Sequence, residues 1–211
     1  MEFRHLAIEG PPGVGKTALA DRLGTRLDAA VILDELENPF LNDALSGRTG
    51  APFQAQLFSL LARHRQQRTI RQGDLFSQLT VADYLFDKDK IYAYVTLDDN
   101  ELFIYQRLYD LLAGDVPSPD LVLYLQAPPD VIRRRLKQRA RQETPTPIPD
   151  GEFLRELTDA FNHFFFHYQA TPLLVVETSQ SDLTWPDVAL DEILRQIQSM
   201  SGGTRYYVPR P

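Results

Sequence analysis

Cysteine is absent from the 211-residue chain, so disulfides, thiolate zinc sites and cysteine nucleophiles are excluded by composition. Also missing is any run of about 18 apolar residues of the kind a membrane span requires, and the apolar stretch in MEFRHLAIEG is too short for a signal-peptide core. The expected location is the cytoplasm, with no membrane partner. Positive charge is in deficit: 22 Lys and Arg against 29 Asp and Glu leave a formal charge of −7. That sign opposes the coating of nucleic acid or anionic lipid, so no nucleic-acid partner is expected and any basic site must be local. Repeats and heptads are lacking too, and low complexity is confined to the Thr/Pro cluster Glu143 to Pro149, read as a loop.

What remains is an ordinary globular composition, 43% hydrophobic and 24% charged, with a length that suits one α/β domain over residues 1–200. Phe3 to Ile8 reads as a buried strand, followed by a glycine-rich loop and an amphipathic helix from Lys16 to Leu27. Further strands are expected at Ala29 to Leu33, Leu79 to Val81, Leu121 to Leu125 and Leu173 to Val176. Helices are expected at Pro52 to Ile70, at Asp99 to Ala113 behind an N-cap at Asp98 or Asp99, after Pro128-Pro129, at Gly151 to Gln169 and at Pro186 to Met200. Strands alternating with helices imply a parallel, roughly five-stranded sheet covered on both faces, a three-layer α/β arrangement. Gly202-Gly203 opens an expected surface tail over residues 201–211.

Gly10, Pro11, Pro12, Gly13, Val14, Gly15, Lys16 and Thr17 satisfy G-x-x-x-x-G-K-[ST], between a strand and a helix as the motif requires. Glycines let backbone N–H groups wrap a phosphate chain, and the helix N-terminus adds a dipole that favours anions. Lys16 is expected on the β- and γ-phosphates of ATP or another nucleoside triphosphate, and the Thr17 hydroxyl on Mg2+.

AIEGPPGVGKT, an acidic turn running into ENPFL, FQAQLFSLLAR, VADYLFDKDKIYA, PDLVLYLQAPP and RRRLKQRAR occur in that order from about Ile8 to Val176. Together they resemble the deoxynucleoside kinase family, P-loop enzymes that phosphorylate the 5′-hydroxyl of deoxyribonucleosides. The resemblance implies a P-loop kinase fold with an arginine-bearing lid, a deoxyribonucleoside acceptor and a role in nucleotide salvage. A homodimer is the expected assembly. The chain departs from the family in two places. Asp83 is followed by Tyr84-Leu85 where relatives commonly carry Arg-Ser, and the acidic turn is one residue short.

Phosphoryl transfer to a hydroxyl needs a carboxylate beside the acceptor oxygen and positive charge around the moving group. Asp34 and Glu35 follow the second strand at the carboxyl edge of the sheet, where ligands of open α/β folds bind, and one of them is the expected base. Asp83 follows the third strand at the same edge and is expected to act through magnesium or on the sugar side. Asp89 and Lys90 are candidates to replace part of the missing arginine's contacts. Gln56 and Arg63, seven residues apart, share one side of a helix. The resemblance implies that Gln56 pairs with the nucleobase and that Arg63 lies deeper. Between Arg133 and Arg141 six of nine residues are Arg or Lys. The resemblance implies lid roles for Arg135, Arg139 and Arg141, with Arg135 catalytic and the other two on the triphosphate. His163 and His167 have metal-ligand spacing, but no glutamate follows the first, and both are read as structural.

Two other functions fit part of this pattern. A nucleoside monophosphate kinase of the thymidylate kinase type shares the P-loop, sheet and lid, but its acceptor needs extra cations, for which the glutamine helix offers Arg63, His64, Arg65 and Arg68. A P-loop regulatory ATPase would usually show an acidic Walker B strand end, whereas Leu121 to Leu125 runs into Gln126-Ala127.

Overall fold

Short apolar runs separated by amphipathic segments become a parallel sheet with helices between its strands. The computed structural model describes residues 3–34, 37–73, 79–142 and 148–209, and the chain divides into two compact units. One comprises Met1–Leu33, Gln78–Leu85 and Pro119–Pro211, the other Asp34–Ser77 and Phe86–Ser118. This is a finer division than the single domain expected from length.

The first unit holds the strands β1 (His5–Glu9), β2 (Ala30–Ile32), β3 (Thr80–Ala82), β4 (Leu121–Gln126), β5 (Leu173–Glu177) and β6 (Thr204–Tyr207). They lie side by side in the order β2-β3-β1-β4-β5-β6, and every pairing is parallel. Leu6, Ile8, Leu121, Leu123, Leu125, Leu174 and Val176 on the strands share one core with Leu19 and Leu23 of α1 (Lys16–Leu27) and Leu190 and Ile193 of α8 (Asp187–Gln198). Two-sided burial explains why β1, β4 and β5 read as continuous apolar runs. The expected tail is corrected here. Thr204–Tyr207 pairs with β5 from Leu173↔Thr204 to Val176↔Tyr207 as a sixth strand. Its own pattern is only half-buried, so backbone pairing with a distant strand makes it, and local sequence does not announce that.

In the second unit α3 (Ala51–Gly73) is the helix expected at Pro52 to Ile70, and α5 (Asp99–Ala113) has the expected bounds. Asp98 caps α5, its carboxylate accepting from the amides of Asn100 and Glu101 at 2.9 Å each. Leu60, Phe86, Ala93, Tyr105 and Tyr109 form the core of this unit. Leu61 of α3, next to the buried Leu60, is exposed. Two helices not anticipated from sequence are α2 (Leu41–Leu45) and α4 (Lys88–Thr96). The α6 (Pro129–Gln142) and α7 (Gly151–Phe166) helices complete the first unit. Most of the Thr/Pro cluster, residues 143–147, lies outside the described residues.

Candidate active site

The loop between β1 and α1 closes tightly on itself. Lys16 Nζ donates to the carbonyls of Gly10 and Pro11 at 2.7 and 3.1 Å. A side chain on Gly10 would meet the Leu125 carbonyl at 2.2 Å, so only glycine allows the loop to pass this close to β4. Gly13 and Gly15 take φ of 81° and 96°, the left-handed conformations that turn successive amides toward one concave side. Glu9, fully buried at the end of β1, anchors the entry: its two carboxylate oxygens accept from the amides of Gly10 and Leu85, each at 2.8 Å. The same carboxylate therefore holds the loop and the segment that follows β3.

That segment carries Asp83, buried at the end of β3. Thr17 Oγ1, in the first turn of α1, donates to Asp83 Oδ2 at 2.6 Å. A hydroxyl and a carboxylate side by side are hard oxygen donors of the kind magnesium takes, with phosphate and water filling its remaining positions.

The second unit contains a buried charge cluster. Arg63 of α3 donates through Nη2 to Asp34 Oδ1 at 2.7 Å, and through Nη1 to Asp89 of α4; Lys88 donates to the other oxygen of Asp34. All four side chains are largely buried. Burial alone would raise the Asp34 carboxyl, but the Lys88 ammonium and Arg63 guanidinium overcome it and hold that carboxyl well below the usual carboxylate range. Asp89 goes the other way: complete burial pushes its carboxyl up, with Arg63 only partly opposing. Asp89 Oδ2 and the Tyr105 hydroxyl are buried with no hydrogen-bond partner among the described residues.

A family model described as "Deoxynucleoside kinase" matches residues 6–201. The chain belongs to the deoxynucleoside kinase family. It is 33% identical over 138 residues to the deoxyguanosine kinase of Bacillus subtilis, covering 64% of this chain and 67% of that protein. To the deoxyadenosine kinase of Dictyostelium discoideum it is 28% identical over 205 residues, covering 95% of this chain and 82% of that protein. The fold matches a solved structure of deoxyadenosine kinase from M. mycoides with bound dATP. That match has a TM-score of 0.78 at 20% identity and covers 93% of this chain and 100% of the other. As a deoxynucleoside kinase, the protein is a phosphotransferase that uses ATP to convert a deoxyribonucleoside to its monophosphate.

Within this kinase the residues anticipated from sequence are distributed as follows. Gly10 to Thr17 and Asp83 come together in the first unit, and Asp34 and Arg63 in the second. Glu35 lies outside the described residues. Gln56, half-buried on α3, spends one amide hydrogen on Thr96 Oγ1 at 3.2 Å. Arg135 does not project as a free lid cation. It braces the loop after β5, donating to the Thr178 carbonyl and, at 3.2 Å, to Thr178 Oγ1. Burial and the neighbouring Arg134 both lower its pKa. Arg139 and Arg141 are exposed on α6, and Arg141 lines a groove of about 550 Å³ between α6 and α7 with Arg133, Arg134, Lys137 and Arg155. His163 and His167 lie with ring centroids 4.8 Å apart on the exposed side of α7.

Two residues of these clusters escaped sequence reasoning. Glu9 carried a signal, an acid closing an otherwise apolar strand directly before the loop. Lys88 donates to Asp34 beside Arg63, whereas the residues named for the missing arginine's contacts are Asp89 and Lys90; Lys90 lies over the Tyr109 ring at 5.2 Å. Adjacent opposite charges at 88 and 89 read as a solvated turn. Only the unexpected helix α4 buries them.

Proposed function

We propose that the kinase transfers the γ-phosphoryl group of ATP to the 5′-hydroxyl of a purine deoxyribonucleoside, with Asp34 as the carboxylate at the acceptor. The observation that carries this reading is the pairing of Asp34 with two buried cations, Arg63 and Lys88. A carboxylate held ionised is too weak a base to deprotonate an alcohol in advance. It orients the hydroxyl and takes its proton as charge develops late in transfer. Lys88 then supplies the positive charge that relatives place in an arginine after Asp83. Gln56 is the residue proposed to recognise the base, and Asp89 Oδ2 and the Tyr105 hydroxyl, like His64 Nε2 and Gln67 Oε1, are buried polar atoms of this unit without a partner among the described residues, of the kind a ligand can complete. The purine preference draws on the deoxyguanosine and deoxyadenosine kinases among the relatives.

On the donor side Lys16 and the backbone N–H groups of Gly13 to Thr17 bind the phosphates, and Thr17 and Asp83 would hold Mg2+. When bound, that ion neutralises phosphate charge; Lys16 and the loop amides orient the chain for transfer. Arg139 and Arg141 act as lid cations on the triphosphate, and Arg135 acts through the loop it braces. The protein works in the cytoplasm as a homodimer, a reading supported by the exposed apolar side chains Phe103, Ile104, Leu108 and Leu111 of α5.

Replacing Asp34 tests the proposal. Asp34→Asn is expected to lower kcat by about two orders of magnitude, the weight of a positioned base, with little change in the KM for ATP. Near-wild-type turnover would reject Asp34 and transfer the role to Glu35.

A further inference from the structure

The loop joining β5 to α8 is held against the phosphate-binding turn by an unusual set of contacts, all within the first unit. Asp182 Oδ1 accepts from the amide and hydroxyl of Thr184 at 2.9 and 2.8 Å. Trp185 donates its backbone amide to the Asp182 carbonyl at 3.1 Å, and its own carbonyl accepts from Arg22 Nε of α1 at 3.1 Å. The tryptophan takes φ of 51°, a left-handed conformation that bulky residues seldom adopt. It is completely buried. Its indole Nε1 donates to the Gly15 carbonyl at 3.2 Å.

Gly15 is the residue that makes this approach possible. A Cβ there would lie 2.9 Å from Leu183 Cδ2 and 3.3 Å from the indole nitrogen. The Gly15 carbonyl also accepts from Leu19 at 3.1 Å, so two donors fix it. Its carbonyl shares one peptide plane with the Lys16 amide, and in a trans peptide the two point in opposite directions. Fixing the oxygen on the Trp185 side therefore directs the Lys16 N–H to the other side. That amide belongs to the first turn of α1, the set of donors that serves anions at a helix N-terminus.

We propose that Trp185 is a positioning residue for ATP: through Gly15 it sets the orientation of the Lys16 amide in the phosphate cradle. The inference rests on the reading of Gly10 to Thr17 as that cradle. Arg135 is part of the same device, because its bonds to the Thr178 carbonyl, and at 3.4 and 3.5 Å to those of Ser179 and Ser181, steady the loop that presents the indole. As the chain has a single tryptophan, its emission reports on the surroundings of Trp185, this contact included.

Trp185→Phe keeps an aromatic ring and removes the N–H. The KM for ATP should rise about five-fold, the weight of one hydrogen bond, while kcat and the KM for the deoxyribonucleoside stay within two-fold and Tm falls by only a few degrees. An unchanged KM for ATP in the folded variant overturns the proposal. The intact enzyme supplies a second reading that survives even if the variant fails to fold. Saturation with ADP should shift or quench the tryptophan emission with the Kd found by equilibrium dialysis, and an emission indifferent to ADP overturns the proposal as well. Dialysis of Lys16→Ala tests the cradle separately: loss of ADP binding supports it, and full retention would reject the cradle and the proposal with it.

Discussion

At Asp34 two cations decide the protonation state, and the consequence is a pH dependence of definite sign. Its folded-state pKa is depressed by Lys88 and Arg63 against the effect of burial. The stabilisation from this ionised group is therefore complete above the unfolded value of about 3.9 and is lost only as pH falls below that toward the folded value. The same group should leave no acid limb in the kcat profile between about pH 5 and pH 9. A limb centred near pH 6 in steady-state rates would assign the proton to another group. Asp89 shows why a single arginine cannot serve two buried carboxylates equally. Arg63 reaches only one of its oxygens, and burial raises its pKa. Removing a partner from such a cluster strands a buried charge, at about 3–5 kcal/mol. Lys16, Thr17, Asp34 and Arg63 stood out in the sequence as candidates because each stands in a motif or at a strand end. Lys88 was not, because only the fold distinguishes a buried lysine from a solvated one.

Among the secondary elements, those with their own capping and periodicity were the readable ones. Lys16–Leu27 begins behind the glycine turn and buries Leu19, Ala20, Leu23 and Gly24, and Asp99–Ala113 begins behind a side chain that accepts two orphan amides. Asp98→Ala should cost about 1 kcal/mol of stability, the usual weight of an N-cap, and leave the KM for ATP unchanged. Denaturant unfolding measures this, and an unaltered midpoint would mean that α5 is set by packing alone. The elements that were missed have different origins. Lys88–Thr96 mixes charge with aromatics and buries Asp89 beside Ile91 and Ala93, so its inward side is not the apolar stripe by which helices are recognised. Thr204–Tyr207 follows two glycines and alternates exposed with half-buried residues. The β5 backbone completes it, and pairing of that kind is invisible in a four-residue window.

For the molecule as a whole, the α/β class and the order of its elements followed from the alternation of apolar runs with amphipathic segments, and the sheet's parallel character from strands buried on both faces. The division into two units could not be read in this way, because the chain passes from one to the other at residues 33–34, 77–78, 85–86 and 118–119 without a linker-like composition. The net charge of −7 coexists with a nucleotide-binding role because basic residues are concentrated locally, six of the nine residues from Arg133 to Arg141 on α6 being Arg or Lys, and are otherwise outnumbered. The decisive measurement is product identification by mass spectrometry after incubating the purified protein with ATP, magnesium and a panel of deoxyribonucleosides and their monophosphates. Deoxyguanosine or deoxyadenosine should be converted to the 5′-monophosphate, with the monophosphates left untouched. Turnover of monophosphates with none of the deoxyribonucleosides would contradict the account.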